Sequence, residues 1–190
     1  FYMFSDSSFA VCGKTITSLR RNIITPMLPM LRSLGFTYEE LVSKNMIIIK
    51  KDGRENRFYI FGGKDEGSAA LIQGMTLSGV MLDETALMPR SFCEQAIARC
   101  SVDNSRLWFN CNPEGPSHWF LKNWIKEPKG RKVLHLHFTM DDNLSLSEAV
   151  KERYRSTYTG VFFKRYILGE WKSADGVIYR QFADDPERFI

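Results

Sequence analysis

The sequence predicts an α/β fold, a mostly parallel sheet of short buried strands flanked by helices. Three observations predict it. Phe9-Ala10-Val11-Cys12, Val80-Met81-Leu82 and Leu107-Trp108-Phe109 are short apolar runs without polar alternation, as in strands covered on both faces. Stretches with apolar residues at helical spacing lie between such runs, which is the order of a sheet with helices on both sides. At 190 residues, 44% hydrophobic and 25% charged, the chain has the size and composition of one ordinary globular core.

The first strand is expected at Ser8 to Gly13. Thr15 is a candidate N-cap for a helix to about Leu34, with Ile16, Leu19, Ile23, Met27 and Leu31 on one face. Pro26 and Pro29 should kink or interrupt it, and Gly35 suits its end. Met46 to Lys50 and Arg57 to Phe61 flank Asp52-Gly53, a hairpin signal. Gly62-Gly63 opens a polar stretch leading to a short helix around Ala69 to Gln73, followed by the strand Val80 to Leu82. Pro89 to Cys100 is expected as a helix, Arg106 to Cys111 as a strand and Ser117 to Lys126 as a helix. Lys132 to Thr139 alternates like a strand. Two helices follow, about Ser147 to Thr157 and Val161 to Glu170, the first with a capping-box pattern in Ser145-Leu146-Ser147-Glu148. The tail from Ser173 onward resembles an exit toward something else. The aromatic stretch Phe1-Tyr2-Met3-Phe4 suits the buried end of an element that starts upstream, so the chain is expected to be a fragment.

Bulk properties exclude some classes. No run approaches the roughly 18 apolar residues that span a bilayer, and the first residues lack a signal-peptide pattern. The four cysteines, Cys12, Cys93, Cys100 and Cys111, show no CxxC pairing, which argues for reduced thiols rather than a disulfide scaffold or zinc site. A net charge of +4 is compatible with a polyanionic partner and does not demonstrate one.

The strongest chemical signal is Ser78-Gly79-Val80-Met81-Leu82-Asp83-Glu84. An apolar strand ending in adjacent carboxylates is the Walker B arrangement. Asp83 stands where it can orient a magnesium ion on nucleotide phosphates, and Glu84 where it can polarise the attacking water. Two solvated acids at a strand end are the competing interpretation. Cys12-Gly13-Lys14-Thr15 ends like a phosphate-binding loop, yet Ser8 occupies the first glycine position and a bulky apolar run fills the interior. A cradle of inward-turned amides needs small residues, so this is expected to be a strand-to-helix junction. Leu107-Trp108-Phe109-Asn110-Cys111-Asn112-Pro113 is another apolar strand ending in amides. A polar side chain there can report the state of a γ-phosphate, although an Asn-Pro turn accounts for the pattern equally.

Weaker signals are structural by default. His135 and His137 share a strand face near Asp141-Asp142, without a third ligand at a telling spacing. Lys14, Arg20, Arg21, Arg54, Arg57 and Lys64 suit a phosphate or DNA surface, or simply a solvated face. Trp108, Phe109, Trp119, Phe120 and Trp124 are expected in the core.

Together these pieces resemble the large terminase subunit of tailed phages, in the group related to defective-prophage terminases. The matching stretches are Phe9 to Thr15 with Ser18-Leu19-Arg20-Arg21-Asn22, Gln73 to Gly79 running into Asp83-Glu84, Asn110 to Pro116, Leu168-Gly169-Glu170-Trp171 and Gly176-Val177-Ile178-Tyr179. The resemblance implies an additional-strand P-loop ATPase fold, truncated at the N-terminus, with ATP and Mg2+ as cofactors. It implies Asp83 as the magnesium residue, Glu84 as the catalytic glutamate, and Asn110 and Asn112 in the coupling motif beside the nucleotide. It divides the chain into a partial ATPase core (1–145), a helical lid (146–172) and the start of a connection to a nuclease (173–190). The family's Walker A loop would precede Phe1, its nuclease acids would follow Ile190, and Gln73 stands where many relatives carry an arginine. The implied partners are double-stranded DNA, the portal protein and a small terminase subunit. The implied setting is a ring on the portal in the host cytoplasm, with no membrane involved.

Other interpretations remain open on the sequence alone. One is a non-catalytic DNA-binding or portal-docking module. Another is a different nucleic-acid translocase or helicase, for which Thr85-Ala86-Leu87-Met88-Pro89 offers no signature.

Overall fold

The computed structural model describes residues 2–173 and 188, and the chain divides into two compact units, Phe1–Cys111 and Asn112–Ile190. The first unit contains every described strand. They are β1 (Ser7–Gly13), β2 (Thr37–Leu41), β3 (Met46–Lys51), β4 (Arg54–Gly62), β5 (Gly79–Leu82) and β6 (Arg106–Phe109), in the spatial order β2-β3-β4-β1-β5-β6. β4, β1, β5 and β6 run parallel, with Gly13 opposite Gly62 and Cys12 opposite Leu82, while β2, β3 and β4 pair antiparallel. The sheet is therefore mixed, with its parallel part carrying the chemistry.

The hairpin joining β3 to β4 turns at Asp52 and Gly53, both with positive φ (50° and 73°), as a two-residue turn matched to strand twist requires. β2 was not anticipated. Its sequence, Thr37-Tyr38-Glu39-Glu40-Leu41, is mostly exposed and carries two acids, so it has none of the apolar signature of an inner strand.

After β1 the helical backbone continues through α1 (Ile16–Leu19), a π-helical turn (Arg20–Ile24) and α2 (Thr25–Ser33). Of the expected kink or interruption at the prolines, no break in the helical backbone occurs. Pro26 falls in the first turn of α2, and the wider turn before it closes through the Thr25 amide to the Arg20 carbonyl. Pro29 sits inside α2 without ending it. Leu19, Ile24 and Leu28 pack on Val11, Ile47, Ile49 and Ile60 on one sheet face, with Met81 against them. α3 (Arg90–Ala98) buries Phe92, Cys93 and Ala96 toward the other face. There Phe92 presses so closely on Gly63 that a Cβ at 63 would lie 2.5 Å from its ring.

Burial raises the thiols of this face. Cys93 is pushed up to about 12, with Glu94 adding to the effect, and Cys100 to about 11. Cys12 is driven higher still by burial, with smaller contributions from Cys93 and Cys100. Cys12, Cys93, Cys100 and Cys111 form no disulfide.

The second unit is helical. Phe120, Leu121 and Trp124 are buried in and just before a π-helical turn (Leu121–Lys126). α4 (Glu148–Thr157) is capped by Ser147, whose hydroxyl accepts from Val150, and α5 (Gly160–Phe162) runs into a further π-helical turn (Phe163–Ile167). The strand expected at Lys132 to Thr139 is absent: the segment joins no ladder, and Leu134, Leu136 and Phe138 are 83%, 62% and 70% exposed. Alternation gives a strand only where a neighbouring backbone takes up its amides and carbonyls, and the second unit has no other described strand. Trp108 also departs from expectation, being 51% exposed on β6 rather than in the core. Gly176 to Tyr179 lie outside the described residues.

Candidate functional site

The parallel strands end together. Gly13 of β1, Gly62 of β4, Asp83 after β5 and Asn110 after β6 stand on the C-terminal edge of the sheet, the edge at which open α/β sheets bind ligands. The Asp83 amide donates to the Cys12 carbonyl at 2.8 Å, which extends the β1–β5 ladder one step and fixes the base of the acidic pair. The Asp83 residue is 8% exposed, and its carboxylate makes no hydrogen bond or ion pair among the described residues. A carboxylate at a strand end, on a residue otherwise buried and with its oxygens uncommitted among the described residues, is the donor type that suits a hard divalent cation.

Glu84 turns the chain sharply. Its φ of 53° and ψ of 47° lie in the left-handed region, which costs a residue with a Cβ about 1–2 kcal/mol. Two groups of Asn110 hold this turn. The Asn110 side-chain Oδ1 accepts the Glu84 amide at 2.8 Å, and the Asn110 carbonyl accepts the Thr85 amide at 2.9 Å. Thr85, fully buried, donates its hydroxyl to the Leu82 carbonyl at 2.9 Å. Strain at one residue is thus over-determined by its neighbours, as at sites where a side chain must be aimed.

The structure brings together Asp83, Glu84 and Asn110. It does not bring Asn112 to them through a side-chain bond: Asn112 is exposed and begins the second unit. Thr85 belongs to no motif in the sequence; its one signal is a polar residue wedged between the acids and the run Ala86-Leu87-Met88.

The segment Gly13-Lys14-Thr15 is a strand-to-helix junction. Phe9 to Gly13 are ladder residues, the Lys14 Nζ donates to the Lys64 carbonyl at 2.9 Å, and Thr15 caps α1 by accepting from Ser18. The basic residues are largely committed nearby: Arg20 pairs with Glu40 at 3.3 Å and Arg57 with Asp6 at 2.7 Å. Gln73 is exposed at the end of a 3-10 turn (Glu66–Ile72). His137 faces the Gly169 carbonyl, with Nε2 at 3.0 Å.

A largely parallel sheet with an acidic pair on the C-terminal edge of an inner strand defines an α/β protein of the ligand-binding, open-sheet class. The chain matches, over residues 10–183, the family model described as terminase large subunit, T4likevirus-type, N-terminal, and it belongs to that family. Among solved structures, it is similar to the large terminase of the thermophilic bacteriophage D6E, at 54% identity and a TM-score of 0.88. That match covers 97% of this chain and 45% of the other. The D6E protein in complex with ADP matches at 53% identity and a TM-score of 0.88, over 97% of this chain and 45% of that one. Its complex with ATP-gamma-S matches at 51% and 0.85, over 98% and 45%. The ATPase domain of the large terminase of Thermus phage P74-26, at 14% identity, shares the fold, with a TM-score of 0.65 over 90% of this chain and 78% of that one. A comparison with curated proteins gave no match. The chain spans less than half the length of the D6E terminase chains.

Proposed function

We propose that this chain supplies the hydrolysis and coupling part of an ATP-driven motor that moves double-stranded DNA into a procapsid. The observation that carries the reading is the edge of β5, where the largely buried residue Asp83 has no hydrogen-bond or ion-pair partner for its carboxylate among the described residues and Glu84 is held in a strained turn by Asn110. Asp83 would hold Mg2+, whose charge, when bound, would stabilise the charge that develops on the phosphates. Glu84, partly exposed beside it, orients and polarises the attacking water. Asn110 transmits the position of that turn into β6, and Asn112 continues the same segment. The D6E terminase binds ADP and ATP-gamma-S, which supports ATP as the ligand here.

The remaining assignments are parts of the same proposal. Residues 1–145 would form the ATPase core, 146–172 a lid, and 173–190 a connection to a nuclease. The partners would be the portal protein, a small terminase subunit and further copies in a ring, acting in the host cytoplasm. None of the described helices is long and apolar enough to cross a membrane.

The test is ATP turnover by the full-length protein. Glu84→Gln should abolish turnover while leaving binding of a fluorescent ATP analogue within about threefold, because the change removes the base and keeps the shape. Turnover that survives Glu84→Gln overturns the assignment. The 190 residues alone should turn over ATP far more slowly than the full-length protein. A non-catalytic docking module would show packaging unaffected by Asp83→Ala.

A further inference from the structure

In the second unit, two segments far apart in sequence are fastened by one side chain. Arg165 lies in the π-helical turn after α5, with its side chain only 13% exposed. Its Nε and one terminal nitrogen donate to the Lys172 carbonyl at 2.9 and 2.7 Å. The other terminal nitrogen donates to the Glu114 carboxylate at 2.8 Å. The ring closes through the backbone, since the Lys172 amide donates to the Glu114 carbonyl at 3.1 Å. A second contact is independent of the arginine: the rings of His118 and Trp171 lie 5.7 Å apart at 34°. Segment 114–118 and segment 171–172 are therefore docked at two points.

Glu114 follows Asn110 by four residues, and Pro113 lies between them. Pro113 fixes its own φ and biases Asn112 to extended backbone, which removes torsional freedom from the segment between Asn110 and Glu114. At the other side, Gly169 makes the approach to Trp171 possible. Its φ is +67°, and a Cβ there would collide with the His137 imidazole.

We propose that Arg165 is a positioning residue for ATP hydrolysis. By clamping Glu114 to Lys172, it sets the segment that follows β6 and links its position to the chain that continues past residue 172. The inference rests on the hydrolytic role proposed for Glu84 and Asn110. Arginine suits the task because its planar fork serves a carbonyl and a carboxylate at once, which a lysine ammonium cannot reproduce.

The experiment compares Arg165→Lys and Glu114→Gln with the parent in the full-length protein. It measures steady-state ATP hydrolysis, thermal melting, and the rate of limited proteolysis after residue 172 with and without ATP-gamma-S. Arg165→Lys should lower kcat about tenfold with KM for ATP within about twofold, as expected when a group acts by holding geometry. Glu114→Gln, which keeps an acceptor oxygen, should lower kcat less, and the double variant no further than Arg165→Lys alone. Nucleotide should alter cleavage after residue 172 in the parent and not in Arg165→Lys. Unchanged kcat and unchanged nucleotide-dependent cleavage in folded Arg165→Lys overturn the proposal. If that variant fails to fold, the same two results for Glu114→Gln overturn it. Glu84→Gln in the same assays separates the two claims. Turnover that depends on Glu84 but ignores Arg165 and Glu114 sinks the clamp alone, and turnover indifferent to Glu84 sinks the underlying assignment as well.

Discussion

The side chain of Asn110 accepts the backbone amide of Glu84 at 2.8 Å, so an amide from one strand end holds the carboxylate-bearing turn of the next in a left-handed conformation. The sequence suggests that this asparagine faces the nucleotide. The bond makes it a brace on the residue proposed to activate water. Asn110→Ala in the full-length protein should therefore lower kcat for ATP by about ten- to a hundredfold, with nucleotide affinity little changed. A rise in KM with unaltered kcat would assign Asn110 to binding instead.

The left-handed backbone of Glu84 gives a second, purely energetic test. Glycine adopts that conformation freely, whereas alanine retains the Cβ clash. Glu84→Gly should be more stable than Glu84→Ala by about 1 kcal/mol in chemical denaturation, although both remove the carboxylate. Equal stabilities would mean that the turn relaxes once the side chain is gone.

Thr85 is fully buried and spends its hydroxyl on the Leu82 carbonyl. Thr85→Val keeps the shape and removes the donor, leaving a buried carbonyl with one partner fewer. The expected loss is about 1–2 kcal/mol of stability, read from denaturant midpoints. Thr85→Ser, which keeps the bond, should lose less.

Gly63 is pinned by the ring of Phe92, which is fully buried. Gly63→Ala should destabilise the protein by about 1–3 kcal/mol. Adding Phe92→Leu should recover part of that loss, a non-additivity that a thermal melt of the double variant would show.

The thiols predict a response to alkaline pH. Burial raises Cys93 from 9.0 to about 12 and Cys100 from 9.0 to about 11 in the folded state. Between those limits the unfolded chain releases thiol protons that the folded chain keeps, so deprotonation draws the equilibrium toward unfolding. Their contribution is complete below pH 9 and is lost as the pH rises toward about 11 to 12. Denaturation midpoints measured from pH 8 to 10.5 should fall, and Cys93→Ala should flatten the fall.

Much of the architecture was legible because burial leaves a mark on residue choice. β1 and β5 are apolar runs with nothing else to be, and Asp52-Gly53 could hardly be anything but a hairpin turn. β2 was illegible because an exposed edge strand needs no apolar code. The segment Lys132 to Thr139 misled for the converse reason: it has the code of a strand without a partner to pair with. Pro26 and Pro29 do not end the helical backbone: Pro26 follows a widened turn at the start of α2, and Pro29 sits inside α2. At the candidate site, the sequence marks Asp83 and Glu84 by type and position. The role of Asn110 is not so marked, because its partner is a backbone amide, and backbone amides are the same at every residue.

The unequal burial of the cysteines has a practical consequence. Cys12 and Cys93 are sealed under the sheet, whereas Cys111 is partly accessible and directly follows Asn110. A maleimide dye added at neutral pH should attach there far sooner than to the sealed pair. With Cys100→Ser to remove the other half-buried thiol, the wild-type residue would serve as a built-in fluorescent probe. Its signal would come from one residue beyond the brace, at the point where motion at the acidic pair would begin its passage into the rest of the chain.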